Sequence, residues 1–400
     1  MTRPTSRTRS HARGRAADNA LPEQRATDET LEVVTEVDQP AVVPHELASG
    51  GPGLEIRARG GSAGAIAGKV LRQYSLVFLL IASFVLYSTW DKTSSVFLTG
   101  DSLRVMVAGQ AVIGVLTLGI LVTMVAGNFD LSVGNIAGLS QVMTASMFSH
   151  HGWPLWLGVL FGVALGAFVG GINGMLVTIL RVDPFIITLG TASAILGFVD
   201  WYSKGQSIVS GIPQNLVNFG NDNFIGVPDI VWVLVIVALV IYYLLEHTPY
   251  GRNLHAIGSN RAAARLVGIR VERSVAMAFT INGFFAGVAG VLMLARAGAG
   301  NPQIPPTLAL TALAGAFLGA ASFKVGRLNV PGTIVALLFL AVNITGLTLA
   351  GVANWINELF TGLSLIFAIA LAAVLSKPRK ARQRTTEPSS PKTPAEKTRK

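Results

Sequence analysis

The residues able to do chemistry in this chain are few, and they gather in two places. The first is the segment Ala126-Gly127-Asn128-Phe129-Asp130-Leu131-Ser132-Val133-Gly134, where an aspartate stands between two apolar runs. A carboxylate facing lipid is costly, so Asp130 must face a cavity or accept hydrogen bonds. Its expected main role is the N-cap of the helix that follows, taking amide protons from Ser132 or Val133. The compatible second role is a helix break lining a solute pathway, with freed backbone groups and Asn128 open to hydroxyls. Asn173, Thr188, Thr191, Asn282 and Asn343 also lie inside apolar runs. Taken singly, each reads as an interhelical hydrogen-bonding residue worth about 1 kcal/mol. Taken with Asn128, Asp130 and Ser132, they are the candidates for a translocation pathway. Neutral amides and hydroxyls suit a neutral, polyhydroxylated solute better than a charged one.

The second place is the stretch 247–274, which carries Arg252, Arg261, Arg265, Arg270 and Arg273 against one acidic residue, Glu272. Within it, Asn260 is expected to cap a short helix over 261–267, which Gly268 ends. That helix is basic with a flat alanine face, and it is too polar to cross a bilayer. An ordinary connector has no need of a capped helix with a defined stop.

Catalytic signatures are missing. A nucleotide-binding P-loop needs Gly-x4-Gly-Lys-Ser/Thr; the nearest imitation, Gly68-Lys69-Val70, lacks both the first glycine and the hydroxyl. The six histidines form no His-x3-His pair on an apolar run. Cysteine is absent, which excludes disulfides, thiolate metal sites and Cys nucleophiles. No basic stripe with interleaved aromatics marks a nucleic-acid surface. Uphill transport by such a chain must draw on a partner subunit or an ion gradient.

The elements that hold these residues must sit in lipid. Of 400 residues 51% are hydrophobic and 13% charged, with mean hydropathy +0.55, against roughly 25% charge in soluble domains. Charge concentrates at the ends: residues 1–72 hold ten Lys/Arg and nine Asp/Glu, and 377–400 hold nine against two. No secretory signal peptide is visible, since the Arg-rich start meets no apolar run before about Tyr74. Residues 1–68 and 377–400 read as disordered tails around a transmembrane domain over 69–376. An all-α helix bundle follows, with apolar stretches at 72–90, 105–126, 131–149, 155–180, 184–201, 230–246, 275–295, 307–322, 330–350 and 356–376. Each is measured against the about 20 residues that a spanning helix needs. Basic flanks at both ends and in the 247–274 loop place all three in the cytoplasm, which ten spans satisfy. The fourth span carries Gly158, Gly162, Gly166, Gly170 and Gly174, a bare groove for close approach of a neighbouring backbone.

These residues resemble a family. Asp130-Leu131-Ser132-Val133-Gly134 is similar to the Asp-Leu-Ser-Val-Gly motif of ribose/xylose-type importer permeases, in the superfamily that includes branched-chain amino acid permeases. Gly171 to Val177 followed by Val182 to Thr191 looks like a second signature of that group. Thr248-Pro249-Tyr250-Gly251-Arg252 through Gly268-Ile269 resembles its cytoplasmic coupling loop. The likeness runs over about residues 72–376, in order and at matching spacing. Two positions depart from it: Arg261 stands where an acidic residue or proline is usual, and Gly319 to Arg327 replaces a glycine-rich turn.

The resemblance implies a permease subunit of an ATP-binding-cassette importer in the cell membrane, not itself an enzyme. It would pair with a second permease copy, two cytoplasmic ATPase subunits and an extracytoplasmic solute-binding protein. ATP and Mg would be used by the ATPase, with no cofactor bound by this chain. Gly258, Ser259, Asn260, Ala262, Ala263, Gly268 and Ile269 match the ATPase-coupling positions. A monosaccharide is the leading cargo, with nucleosides and branched-chain amino acids as alternatives. The competing mechanism is an ion-coupled secondary transporter, for which Asp130 is the main carrier candidate and Asp183 the second.

Overall fold

The computed structural model describes residues 73–303, 307–353 and 355–376; the two terminal tails expected from sequence lie outside them. A helix occupies each of the ten apolar stretches. In chain order the elements are α1 Ser75–Thr89, α2 Ser94–Phe97, α3 Gly100–Val125, α4 Val133–His151, α5 Leu155–Leu180, α6 Pro184–Ser203 and α7 Gln214–Asn221. There follow the two-residue strands β1 Asn223–Phe224 and β2 Val227–Pro228, α8 Asp229–His247, α9 Pro249–Ser259 and α10 Arg261–Leu266. The series closes with α11 Val271–Ala297, α12 Thr307–Gly319, α13 Val330–Leu349 and α14 Trp355–Ser376. Among the described residues the only sheet is the β1–β2 hairpin, so this is an all-α polytopic membrane protein.

Six helices (α3, α5, α6, α8, α11 and α13) are long and apolar enough to cross a bilayer by length and composition. Helices α1 and α12 are apolar but shorter, α14 is apolar along Trp355–Ala370, and α4 is long but carries polar residues along most of its length. The reason lies in what each helix faces. On α6 and α8 large side chains such as Ile186, Trp201, Leu239 and Tyr243 are exposed, the surface that hydrocarbon requires. On α4, Asn135, Ser140, Gln141, Thr144 and Ser146 are all buried inside protein. Helix α4 is thus an inner helix, packed against α5, α6 and α11, where interhelical hydrogen bonds replace lipid contact.

From Gly162 to Gly174 the glycine row of α5 meets α11 backbone to backbone, while Gly158 faces the Phe148 ring of α4. A Cβ placed on Gly166 would lie 2.4 Å from the carbonyl oxygen of Gly283, and one on Gly170 would lie 2.4 Å from that of Phe279. The approach is reciprocal, since a Cβ on Gly283 would lie 2.3 Å from the Gly166 carbonyl oxygen. Ser140 on α4 donates to the carbonyls of both Gly162 and Gly287, at 3.0 and 3.1 Å, and so ties the third helix to this seam.

Candidate functional site

Two spans end and begin at the turn 126–132, and most of the polar residues singled out from sequence converge there. Helix α3 stops because Gly127 takes a left-handed conformation (φ 75°), in which only glycine is free of a Cβ penalty. Helix α4 starts at Val133 with Ser132 as its N-cap position. The expected N-cap position is corrected: Asp130 stands two residues before the cap, in the turn that leads into the helix. The expected bond is present, since Asp130 Oδ1 accepts from the Ser132 amide at 2.9 Å and also from the Ser132 hydroxyl at 2.6 Å. The other oxygen, Oδ2, accepts from Asn282 Nδ2 on α11 at 2.8 Å.

The network extends outward from these bonds. Asn173 on α5 donates to Ser132 Oγ at 2.9 Å and accepts from Thr191 on α6 at 2.7 Å. Thr188, one turn before Thr191, accepts from the Leu131 amide at 3.2 Å. Four elements are therefore stitched together: the turn, α5, α6 and α11. Asp130, Ser132, Asn173, Thr188 and Asn282 have 0% exposure. In this conformation the cluster is a closed clasp. Asn282 Oδ1 is buried without a partner and faces Gly119 of α3, where a Cβ would lie 3.0 Å away. Asn343 joins no member of this network; it donates to Ser83 Oγ and Phe339 O, tying α13 to α1.

The basic loop folds as a helical hairpin against the same turn. Thr248 caps α9, accepting from the Gly251 amide at 3.1 Å, with Pro249 in its first turn. Asn260 caps α10, accepting from the Ala263 amide at 3.0 Å. Helix α10 ends one residue before the expected stop. The Ile269 amide then donates to Ala264 O and the Gly268 amide to Arg265 O, both at 3.0 Å, with Gly268 at φ 83°. This is a Schellman ending, which satisfies the last carbonyls. Its outer face is exposed at Ala262, Ala263, Leu266 (89%) and Val267 (76%).

Two contacts seat this hairpin on the turn. A Cβ at Gly258 would come within 2.1 Å of the Val125 carbonyl oxygen, so the end of α9 lies directly on the end of α3. The Arg261 guanidinium donates to the side-chain oxygen of Asn128, whose own amide donates to Ala126 O at 3.2 Å. Asn128, expected beside the solute, thus bonds to the basic loop. Helix α9 was missed in the sequence, although Thr248-Pro249 carried the signal of a capped start.

Electrostatics around the hairpin are local. Glu272 pairs with Arg265 at 2.6 Å; its own backbone amide and then Arg265 hold its carboxyl below the usual range. His255 on α9 is pushed below its ordinary value by burial, against the pull of Glu246 and with the push of Arg327 and Lys324. Burial raises the Tyr250 hydroxyl, which donates to Ser274 O at 2.9 Å.

Residues 104–369 match the model of a family described as "Branched-chain amino acid transport system / permease component". Among curated proteins, the ribose import permease protein of Escherichia coli is 30% identical over 293 residues, 72% of this chain and 91% of that one. The autoinducer 2 import system permease protein of Klebsiella pneumoniae is 31% identical over 300 residues, covering 75% and 86%. The D-allose transport system permease protein of Escherichia coli is 30% identical over 305 residues, covering 76% and 93%. No solved structure matches the chain. With its family model matching about two thirds of the 400 residues, from within α3 into α14, the chain belongs to the permease components of this transport-system family.

Proposed function

We propose that this chain is the membrane-spanning permease subunit of an ATP-binding-cassette importer that carries a monosaccharide. The observation that carries the proposal is the seating of the exposed, capped hairpin 249–269 on the turn between α3 and α4. A motor bound to the outer face of α10 would push directly on the ends of two spans. The chain has no P-loop of its own, so ATP and Mg belong to a partner ATPase and no cofactor to this subunit. Ala262, Ala263, Ser259 and Ile269 would form the docking contacts, with Asn260, Gly258 and Gly268 shaping the helix that presents them. The importer would comprise two permease copies, two ATPase subunits and an extracytoplasmic binding protein. Ten spans with both termini in the cytoplasm fit this arrangement, as the charge of the 247–274 loop requires.

Support for a sugar comes from the relatives, whose names specify ribose import and D-allose transport, and from the neutral polar set. Opening the clasp would uncover Asp130, Ser132, Asn173, Thr188, Thr191 and Asn282 to a polyhydroxylated solute. An ion-coupled carrier is disfavoured because Asp130, its main candidate, is fully buried and accepts three hydrogen bonds.

The test is uptake of labelled ribose or allose into vesicles holding the chain, its ATPase and its binding protein. Ala262→Arg or Ala263→Arg should abolish ATP-dependent uptake while membrane insertion stays normal. Normal uptake in both variants would refute the docking role. Accumulation by the chain alone, collapsed by an ionophore while ATP stays high, would establish the carrier instead.

A further inference from the structure

A cleft of about 270 Å³ opens between the end of α5, α10 and the start of α11. Its rim carries Arg181, Arg261 and Arg265, and its wall includes Val177 and Val275. The only acidic residue lining it is Glu272, already paired with Arg265. Asp183, two residues beyond Arg181, turns its carboxylate to the Phe185 amide at 2.9 Å, capping α6. Arg261 spends one guanidinium nitrogen on the neutral Asn128. Arg181 has no hydrogen bond or ion pair among the described residues. Glu272 also feels the charge of Arg181, so three guanidinia share one carboxylate and the cleft carries two positive charges in excess.

The surroundings of the cleft are apolar. Ile179 (68% exposed), Leu180 (55%) and Ile186 (62%) flank Arg181 on a surface suited to hydrocarbon. A guanidinium rim above valines, beside exposed isoleucine and leucine, matches a ligand with an anionic head and an apolar tail. We propose that the cleft binds the phosphodiester headgroup of an anionic phospholipid in the cytoplasmic leaflet. The leaflet rests on the orientation proposed above; the chemistry of the cleft does not. Because α10 forms one wall, the bound lipid would brace the coupling helix against α5 and α11.

The test uses the purified full-length chain in neutral detergent, titrated with phosphatidylglycerol or phosphatidylcholine. Retained lipid is counted by native mass spectrometry. Two cations near a lipid surface predict a roughly 30-fold preference for the anionic lipid. Arg181→Gln should lower it to about fivefold, Arg181→Lys should keep most of it, and Arg252→Gln, outside the cleft, should leave it unchanged. If Arg181→Gln fails to fold, Thr178→Glu sets a carboxylate in the same wall and should erase the preference. Equal retention of the two lipids would overturn the proposal and leave the rim to an acidic protein partner. Millimolar inorganic phosphate stripping the lipid completely would overturn it in favour of a soluble anion. Lipid counting needs neither ATPase nor cargo, so failed uptake would not affect it.

Discussion

Two junctions hold this bundle together by opposite means. The α5–α11 seam is made of glycines whose backbones touch, with Gly166 against Gly283 and Gly170 against Phe279 and Gly283. The turn 126–132 is held by side chains, through Asp130, Ser132, Asn173, Asn282 and the Arg261–Asn128 contact. A seam of touching backbones has one good distance and resists change, because close-packed interiors do not deform continuously. A clasp of discrete hydrogen bonds can break at one bond and re-form elsewhere. The lesson is a division of labour: α5 and α11 form a fixed block, and the junction of α3, α4 and the basic hairpin is the place that can move.

Breaking the seam gives the largest expected effect. In Gly170→Val, the new Cβ would lie 2.4 Å from the Phe279 oxygen and 2.8 Å from the Gly283 Cα. Neither neighbour is a flexible side chain, so the helices must separate, at a cost of more than about 3 kcal/mol. The variant should fail to accumulate as folded protein, measured by size-exclusion profile and melting in detergent. A normal profile would mean that the seam can adjust. Breaking the clasp comes next. Asp130→Leu strands the Ser132 amide, the Ser132 hydroxyl and Asn282 Nδ2, costing about 2–3 kcal/mol. Asp130→Asn keeps an acceptor oxygen and should lose less, so the order of melting temperatures is the check.

The two junctions also differ in how far the sequence announced them. The glycine row of α5 is periodic, and a spacing of four on a helix of 3.6 residues per turn maps to one face without further information. Its partner glycines on α11, Gly283 and Gly287, also stand four apart, whereas Gly290 faces α4. The capped helix α10 was equally legible, since Asn260 and Gly268 act within a few residues of themselves. The clasp was legible only as an inventory. That Asp130 meets Asn282, 152 residues away, or that Asn128 meets Arg261, 133 away, depends on tertiary arrangement that no local pattern encodes. For the same reason Asn343 looked like a member of the set and bonds elsewhere, to Ser83. The displaced cap at Asp130 is a smaller case: a carboxylate serves the residue two places on as readily as a helix start.

The link between hairpin and clasp is weaker and should be separable from stability. Arg261→Gln removes one bond, costing about 1 kcal/mol in melting, and Asn128→Ala removes that bond and the one to Ala126 O, costing about 2 kcal/mol. Their effect on transport should be larger, with ATP hydrolysis continuing while uptake falls. The double variant should cost no more than Asn128→Ala alone, because Arg261→Gln deletes only the contact that Asn128→Ala already removes. Additive losses would show that Arg261 and Asn128 act through different partners.

The smallest effect is the response to acid, and it too should separate the junctions. Helix α5 holds no ionisable residue, so the seam is indifferent to mild acid. The hairpin holds His255, whose pKa is lowered by burial, with Glu246 opposing and Arg327 and Lys324 assisting. A lowered value means that the unfolded hairpin binds a proton more readily than the folded one, so stability rises with pH. The loss begins as the pH falls through the ordinary histidine value of 6.5 and levels off below the folded value. Between pH 7.5 and 5.5, hydrogen exchange in 249–259 should therefore quicken while that of α5 holds steady, and His255→Gln should flatten the difference. Slower exchange in acid would reverse the sign, and would mean that attraction from Glu246 outweighs the cost of burying the imidazolium.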